Sequence, residues 1–177
     1  DPIENRFEAR RRARAAAEDA VAVLRSEGYY AYDVTPDVSD TEPPRPVVRI
    51  EPGQRFLLGD AGIAWQGETP DPQTATAAVE ALDLKPGEPG QAARVIAAEG
   101  RAVSTVQKRG YADAVAEPRE VIVDHADFTV RPTYRIAAGR LVRLDGLDVT
   151  QSGRTNPAWL EHLAPWTPGD TYDPADV

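Results

Sequence analysis

The chain has 177 residues, no cysteine, a formal net charge of −9 and a sequence pI near 4.7. That balance weighs against a nucleic-acid coat or an anionic membrane surface as partner, because both need a cationic face, and the missing cysteines exclude a disulfide framework, a thiol nucleophile and a Cys-ligated metal site. No apolar run approaches the roughly 20 residues of a membrane helix and no charged-then-apolar leader opens the chain, so any signal or membrane part is expected outside these residues.

The first expected element is a helix. Asp1, Pro2 and Glu4 read as an N-cap, a proline at the first helical position and an acidic residue in the first turn, and nothing breaks the helix before Glu27. Ala13, Ala16, Ala20, Val21 and Leu24 form its apolar stripe. Arg6, Arg10, Arg11, Arg12 and Arg14 cluster near its start, but Asp1, Glu4, Glu8, Glu18 and Asp19 accompany them, which predicts a solvated helix with paired charges. Gly28 then reads as the left-handed residue at C′, with Tyr29 packing back on Leu24 in a Schellman motif. Strands are expected over Ala31 to Val38 and Pro46 to Ile50, joined by a polar turn from Ser39 to Arg45. Pro36 cannot donate to a central ladder, so its strand should be a sheet edge or bulged.

After a break at Gly53, Phe56 to Trp65 reads as a strand with a bulge or tight bend at Gly59-Asp60-Ala61-Gly62, which lacks the lysine and spacing of a phosphate loop. Asp71-Pro72 opens the next helix. Pro86, Gly87, Pro89 and Gly90 end it and start another, with the stripe Val95, Ala98, Ala102, Val103 and Val106 and a second Gly-Tyr cap at Gly110-Tyr111. Strands over Ala112 to Val123, carrying Pro118, and over Phe128 to Ile136 flank a turn at Asp124 to Asp127. Pro46 to Ile50 and Phe128 to Ile136 are apolar enough to be the central strands. Gly139 makes a second break, Leu141 to Thr150 reads as a strand, and Asn156-Pro157 and Asp173-Pro174 open helices.

These elements repeat. Gly28-Tyr29 returns 82 positions later as Gly110-Tyr111, Pro46 to Gly53 returns 86 positions later as Pro132 to Gly139, and Leu84-Lys85-Pro86-Gly87 returns as Trp166-Thr167-Pro168-Gly169. The repeating unit is strand, helix, helix, strand, strand. Residues 53–139 hold one whole unit, 1–52 the last helix and two strands of a unit before it, and 140–177 the first strand and helix of a unit after it.

Such a β-α-α-β-β unit in tandem, with Gly-Tyr ending its second helix and Pro-Gly between its helices, resembles the POTRA domain of the BamA and TamA superfamily. The match is nearest to TamA-like members through Arg6-Phe7, Leu24, Gly28-Tyr29-Tyr30, Pro52-Gly53, Leu58-Gly59, Leu163-Ala164-Pro165-Trp166 and Gly169-Asp170-Thr171-Tyr172. The resemblance implies an α+β fold of tandem modules, each a three-stranded mixed sheet with two helices on one face. It also implies a non-enzymatic scaffold on the periplasmic side of the outer membrane. Its partners would be unfolded outer-membrane or autotransporter clients and a TamB-like protein anchored in the inner membrane, with membrane contact only through a C-terminal barrel outside these residues.

Chemistry is sparse. Neither a catalytic set nor a metal site nor a cofactor site is expected. His125 between Asp124 and Asp127 reads as a turn, with a small hydrolase as the rival; His162 beside Glu161 has no second ligand in range. Trp65, Trp159 and Trp166 fit a core, and Tyr30 and Tyr32 are the better candidates for exposed aromatics. The remaining chemistry is that of the backbone, since an edge strand can accept an extended chain. The candidate edges are Ala112, Asp113, Ala114, Val115 and Ala116, and Ala31, Tyr32, Asp33 and Val34. Gly28, Tyr29, Gly110, Tyr111, Gly53 and Gly139 are read as structural. Other carriers of the same module, in BamA-type assembly, two-partner secretion or cell division, remain alternatives.

Overall fold

The computed structural model describes residues 5–145 and 166–175. They divide into two compact units, Asp1–Ala61 with Leu84–Ala97 and Val121–Pro132, and Gly62–Asp83 with Ala98–Glu120 and Thr133–Val177.

The first unit begins with helix α1, Arg6–Ser26. Its N-cap is Asn5, in extended backbone, whose Oδ1 accepts the Glu8 N–H at 2.9 Å. The expected cap at Asp1 is therefore superseded, and Asp1 to Glu4 lie outside the described residues. Asn5 wins because its side chain reaches the N3 amide while its own backbone stays non-helical. The buried stripe is Ala9, Ala13 and Ala17, spaced by four; Ala16, expected in the stripe, is exposed. This face packs on a two-stranded antiparallel sheet, β1 (Asp33–Val38) and β2 (Pro46–Glu51), in the register Asp33↔Glu51 to Val38↔Pro46. β1 thus starts two residues later than expected.

Helix α1 ends in a Schellman motif. Gly28, at φ +90, donates to Arg25 O at 3.2 Å, and Tyr29 donates to Leu24 O at 2.8 Å. The cap also starts the next strand, because Gly28 O accepts the Phe56 N–H at 2.8 Å. The strand β3 (Leu57–Leu58) is then held by the Pro-Gly turn, with Leu58 N–H to Glu88 O at 2.6 Å, Gly87 N–H to Leu58 O at 2.8 Å and Gly90 N–H to Phe56 O at 2.9 Å. Phe56 is fully buried, with the rings of Tyr30, His125 and Phe128 edge-on to it at centroid distances of 5.0 to 5.3 Å.

The second unit repeats this joint at the expected offsets. Gly110, at φ +97, donates to Gln107 O at 3.1 Å and accepts the Val142 N–H at 2.7 Å, while Tyr111 donates to Val106 O at 3.4 Å. Leu144 N–H meets Asp170 O at 2.8 Å, Gly169 N–H meets Leu144 O at 2.7 Å and Tyr172 N–H meets Val142 O at 3.2 Å. Each bond has its counterpart in the first unit. Here too are β4 (Gly62–Trp65), α2 (Pro72–Ala81) and the C-terminal half of α3 (Ala92–Gln107). Asp71 caps α2 by accepting the Gln73 and Thr74 N–H groups at 3.0 Å, and the Tyr111 hydroxyl accepts the Asp71 N–H at 2.9 Å. Hydrogen bonds from Thr74, then from Tyr111 and Gln73, hold the Asp71 carboxyl below the usual carboxylate range. Ala78, Val106, Tyr111, Ala114 and Ala138 form the core, with Ile63 and Trp65 packed on it.

Strands β5 (Val115–Asp124) and β6 (Thr129–Ala137) run through both units. Their four-residue connection permits only an antiparallel pair. β6 also pairs in parallel with β3 in the first unit (Leu57↔Thr129, Leu58↔Val130) and with β4 in the second (Gly62↔Thr133 to Trp65↔Ile136). Three residues, Gly59 to Ala61, thus oppose two, Arg131 and Pro132: the expected bend is a one-residue bulge, and it falls where Pro132 has no N–H to give the ladder. On β6, Val130, Pro132, Tyr134 and Ile136 are buried while Arg131 and Arg135 pair with acidic side chains on the open face. Burial pushes the Tyr134 hydroxyl up to about 12.

A Cβ at Gly110 would need φ > 0 and would meet Thr171 Cγ2 and, at 2.7 Å, Leu141 Cδ1. Gly110→Val is expected to cost at least ~1 kcal/mol in urea-induced unfolding, since a β-branched residue is strongly disfavoured there; an unchanged midpoint would contradict the cap.

Candidate interaction surfaces

The two predicted edges differ once hydrogen-bond parity is read. Ser39 N–H bonds Arg45 O at 2.9 Å, so Ser39 and Arg45 are a hydrogen-bonded pair. Alternation then makes Val38/Pro46, Pro36/Val48 and Val34/Ile50 the non-bonded pairs, whose backbone groups point away from the partner strand. Both prolines fall in such pairs, so neither removes a bond from the ladder. Outward from β1, Pro36 has no donor and the Val38 N–H is taken by Asp37 Oδ1 at 2.8 Å, which leaves Val34. The β1 edge is guarded. Of its predicted contacts, Asp33 and Val34 lie on β1, whereas Ala31 and Tyr32 precede it. Outward from β2, the N–H groups of Val48 and Ile50 have no partner among the described residues. Sequence reasoning missed this edge, although the 86-residue offset maps Val47 to Ile50 onto Thr133 to Ile136, the stretch of β6 that holds β4.

The second predicted edge is shorter than expected. Ala112 and Asp113 form a turn, and Ala114 is fully buried, donating to Tyr111 O at 3.0 Å and accepting the Gln107 amide at 2.9 Å. These three are therefore not edge residues; closing the Gly-Tyr turn onto the helix consumes them. Val115 and Ala116 do lie on β5, which among the described residues pairs with β6 alone and leaves its other edge free. Val115 is 55% exposed in the second unit, and Val121 and Ile122 are 40% and 51% exposed in the first, with Pro118 between them in the chain.

Gly53 and Gly139 adopt φ of +68 and +74, and a Cβ on them would meet Ala31 O and, at 3.1 Å, Asp113 Cβ. Tyr29 lies under the Arg55 guanidinium, 5.5 Å from ring centroid to Cζ. Tyr30 is not an exposed platform; it is half-buried beside Phe56, and desolvation raises its hydroxyl above the ordinary value despite the opposing Arg25 charge. Tyr32 is likewise half-buried, with Arg25 5.6 Å from its ring centroid. Trp65 packs on the core, Trp166 Nε1 donates to Asp145 O at 2.9 Å, and Trp159 lies outside the described residues.

The carboxylates flanking His125 are already engaged. Asp124 accepts the Ala126 N–H at 2.9 Å, which with Arg131 holds its carboxyl below the usual range, and Asp127 accepts the Thr129 N–H at 3.1 Å and pairs with Arg131. The imidazole itself sits edge-on to Phe56. Among the described residues no three His, Cys, Asp or Glu side chains converge as metal ligands. His162 lies outside the described residues.

No family model matches the sequence, and no curated protein matches it. Among solved structures, POTRA3–5 of BamA from Haemophilus influenzae is similar with a TM-score of 0.52 at 15% identity, covering 92% of this chain and 64% of that one. POTRA1–3 of the periplasmic domain of Omp85 from Anabaena gives 0.47 at 16% identity, covering 93% and 67%. This chain therefore spans less than two thirds of the length of the BamA POTRA3–5 structure. At that level of identity the likeness is one of fold: the chain has the α+β fold of POTRA modules.

Replacing Pro36 by valine restores an outward N–H at the centre of the β1 edge. Greater self-association of Pro36→Val than of the parent is expected in sedimentation velocity; equal sedimentation of the two would mean that Pro36 does not guard this edge.

Proposed function

We propose that the chain is part of a non-enzymatic periplasmic scaffold that guides client polypeptides during outer-membrane protein assembly. The observation that carries this reading is the likeness in fold to POTRA modules together with a sheet that, among the described residues, ends in a free, partly apolar strand, β5. Residues 1–52 are the C-terminal part of a first module, 53–139 a complete second and 140–177 the N-terminal part of a third. In that arrangement the outer edge of β2 takes the first strand of its own module, as β6 takes β4. Among the described residues the edge left for a client is that of β5, which offers Val121 and Ile122 in the first unit and, as a separate stretch, Val115 and Ala116 in the second.

The finer reading is TamA-like: autotransporter or other outer-membrane clients, a C-terminal barrel and a TamB-like partner. The structural likeness to BamA favours BamA-type assembly as the second reading. Binding of a purified TamB-like partner domain to the chain separates the two. For either, amide shifts titrated with a β-signal peptide should move at Val121, Ile122, Val115 and Ala116 and stay still at Asp33 and Val34. Ile122→Lys should weaken the effect, because a lysine blunts an edge. Shifts confined to the helices, or none at millimolar peptide, would overturn the reading.

A further inference from the structure

The first half of α1 carries guanidinium groups that the described residues largely leave unneutralised. Arg6, Arg10 and Arg14 follow one another by four and, with Pro36, Asp37 and Val38, line a depression of about 320 Å³. Past Arg14 it continues into another of about 380 Å³, lined by Ala17, Glu18, Val21, Val34 and Pro36. A trough thus runs between α1 and β1, cationic beside the start of the helix and apolar beyond. Among the described residues the charge pairing along α1 is partial: Arg12 bonds Glu8 at 2.7 Å and Arg6 reaches the exposed Asp40 at 3.4 Å, while Arg10, Arg11 and Arg14 pair with no carboxylate; Asp1 and Glu4, two of the expected partners, lie outside the described residues. Of the two carboxylates lining the trough, Glu18 and Asp37, the latter is held by Arg49 at 2.9 Å.

Helix stability does not account for this row, because Arg6 in the first turn opposes the macrodipole and like charges four apart repel. Its spacing fits something outside. Residues four apart on a helix rise about 6 Å, and alternate residues of an extended strand advance roughly 6.6–6.8 Å. Carboxylates at alternate positions of an extended segment therefore meet the three guanidiniums nearly in step. Because Pro36 and Asp37 leave the β1 edge short of donors, recognition falls to side chains. An anionic bilayer fits less well, since the row lies in a trough beside β1 on a chain of net charge −9.

We propose that this trough binds an extended acidic segment of a partner polypeptide, with alternate carboxylates on Arg6, Arg10 and Arg14 and the following apolar side chain on Val21, Val34 and Pro36. The surface is separate from the β5 edge proposed for clients. The probe is a fluorescent peptide with glutamate at positions one, three and five followed by two valines, titrated with the 177-residue chain. Binding is expected to weaken at least ~10-fold in Arg10→Gln/Arg14→Gln, roughly 3-fold in either single variant, and not at all in Arg109→Gln, and to fall as salt is raised. Both arginines are exposed, so circular dichroism should show the variants folded. The proposal fails if the peptide does not bind at millimolar concentration, if the double variant binds equally, or if a peptide with the three glutamates adjacent binds as well. It also fails if only phosphatidylglycerol vesicles bind in an arginine-dependent way.

Discussion

Two glycines in the left-handed conformation determine how this chain continues after each long helix. At Gly28 and Gly110 the backbone turns so that two helix carbonyls are satisfied and the glycine's own carbonyl is presented to an incoming amide, that of Phe56 or Val142. A side chain at either position would be strained by φ and obstructed by the strand or turn that docks there. The aromatic residue that follows is placed by the same turn: Tyr111 reaches Asp71 and links the end of α3 to the start of α2. The helix ends are therefore the joints of the fold, and their hydrogen bonds recur pair for pair.

Much of this was legible because it is local. A glycine after a periodic helix, a proline after Asp71 and a glycine-rich kink before Gly62 each specify backbone conformation over a few residues, and the repeat shows that the specification is used twice. What was not legible depends on partners distant in sequence. Ala16 is exposed although its counterpart Ala98 is fully buried, so helical spacing alone could not tell which alanines are covered. The start of α1 moved from Asp1 to Asn5 because two adequate caps compete within five residues and sequence pattern does not rank them.

The edges show the same division. Proline at 36 marked β1 as an edge, but whether that edge is open depends on hydrogen-bond parity, which a single strand does not reveal. Parity turns Pro36 outward and makes it a guard. Ala112 to Ala114 looked like the start of a strand only by continuity with the residues that follow, since aspartate and, more weakly, alanine disfavour strands; the Gln107 amide and the Tyr111 carbonyl draw Ala114 inward instead. Likewise, counting charges along α1 suggested cancellation, while the fold leaves three arginines without a carboxylate among the described residues.

The glycine and tyrosine that recur between the two copies of the repeat fall at the joints made by the helix ends. Native-state hydrogen exchange tests these joints most directly. The amides of Phe56 and Leu58 should be protected to a degree comparable with those of Ala17 and Val21 in α1, and the amides of Val142 and Leu144 to a degree comparable with those of Ala102 and Val106 in α3, because each strand start is built on the capped end of its own helix. Exchange of these four amides at the rate of an open loop, with α1 and α3 still protected, would contradict the account.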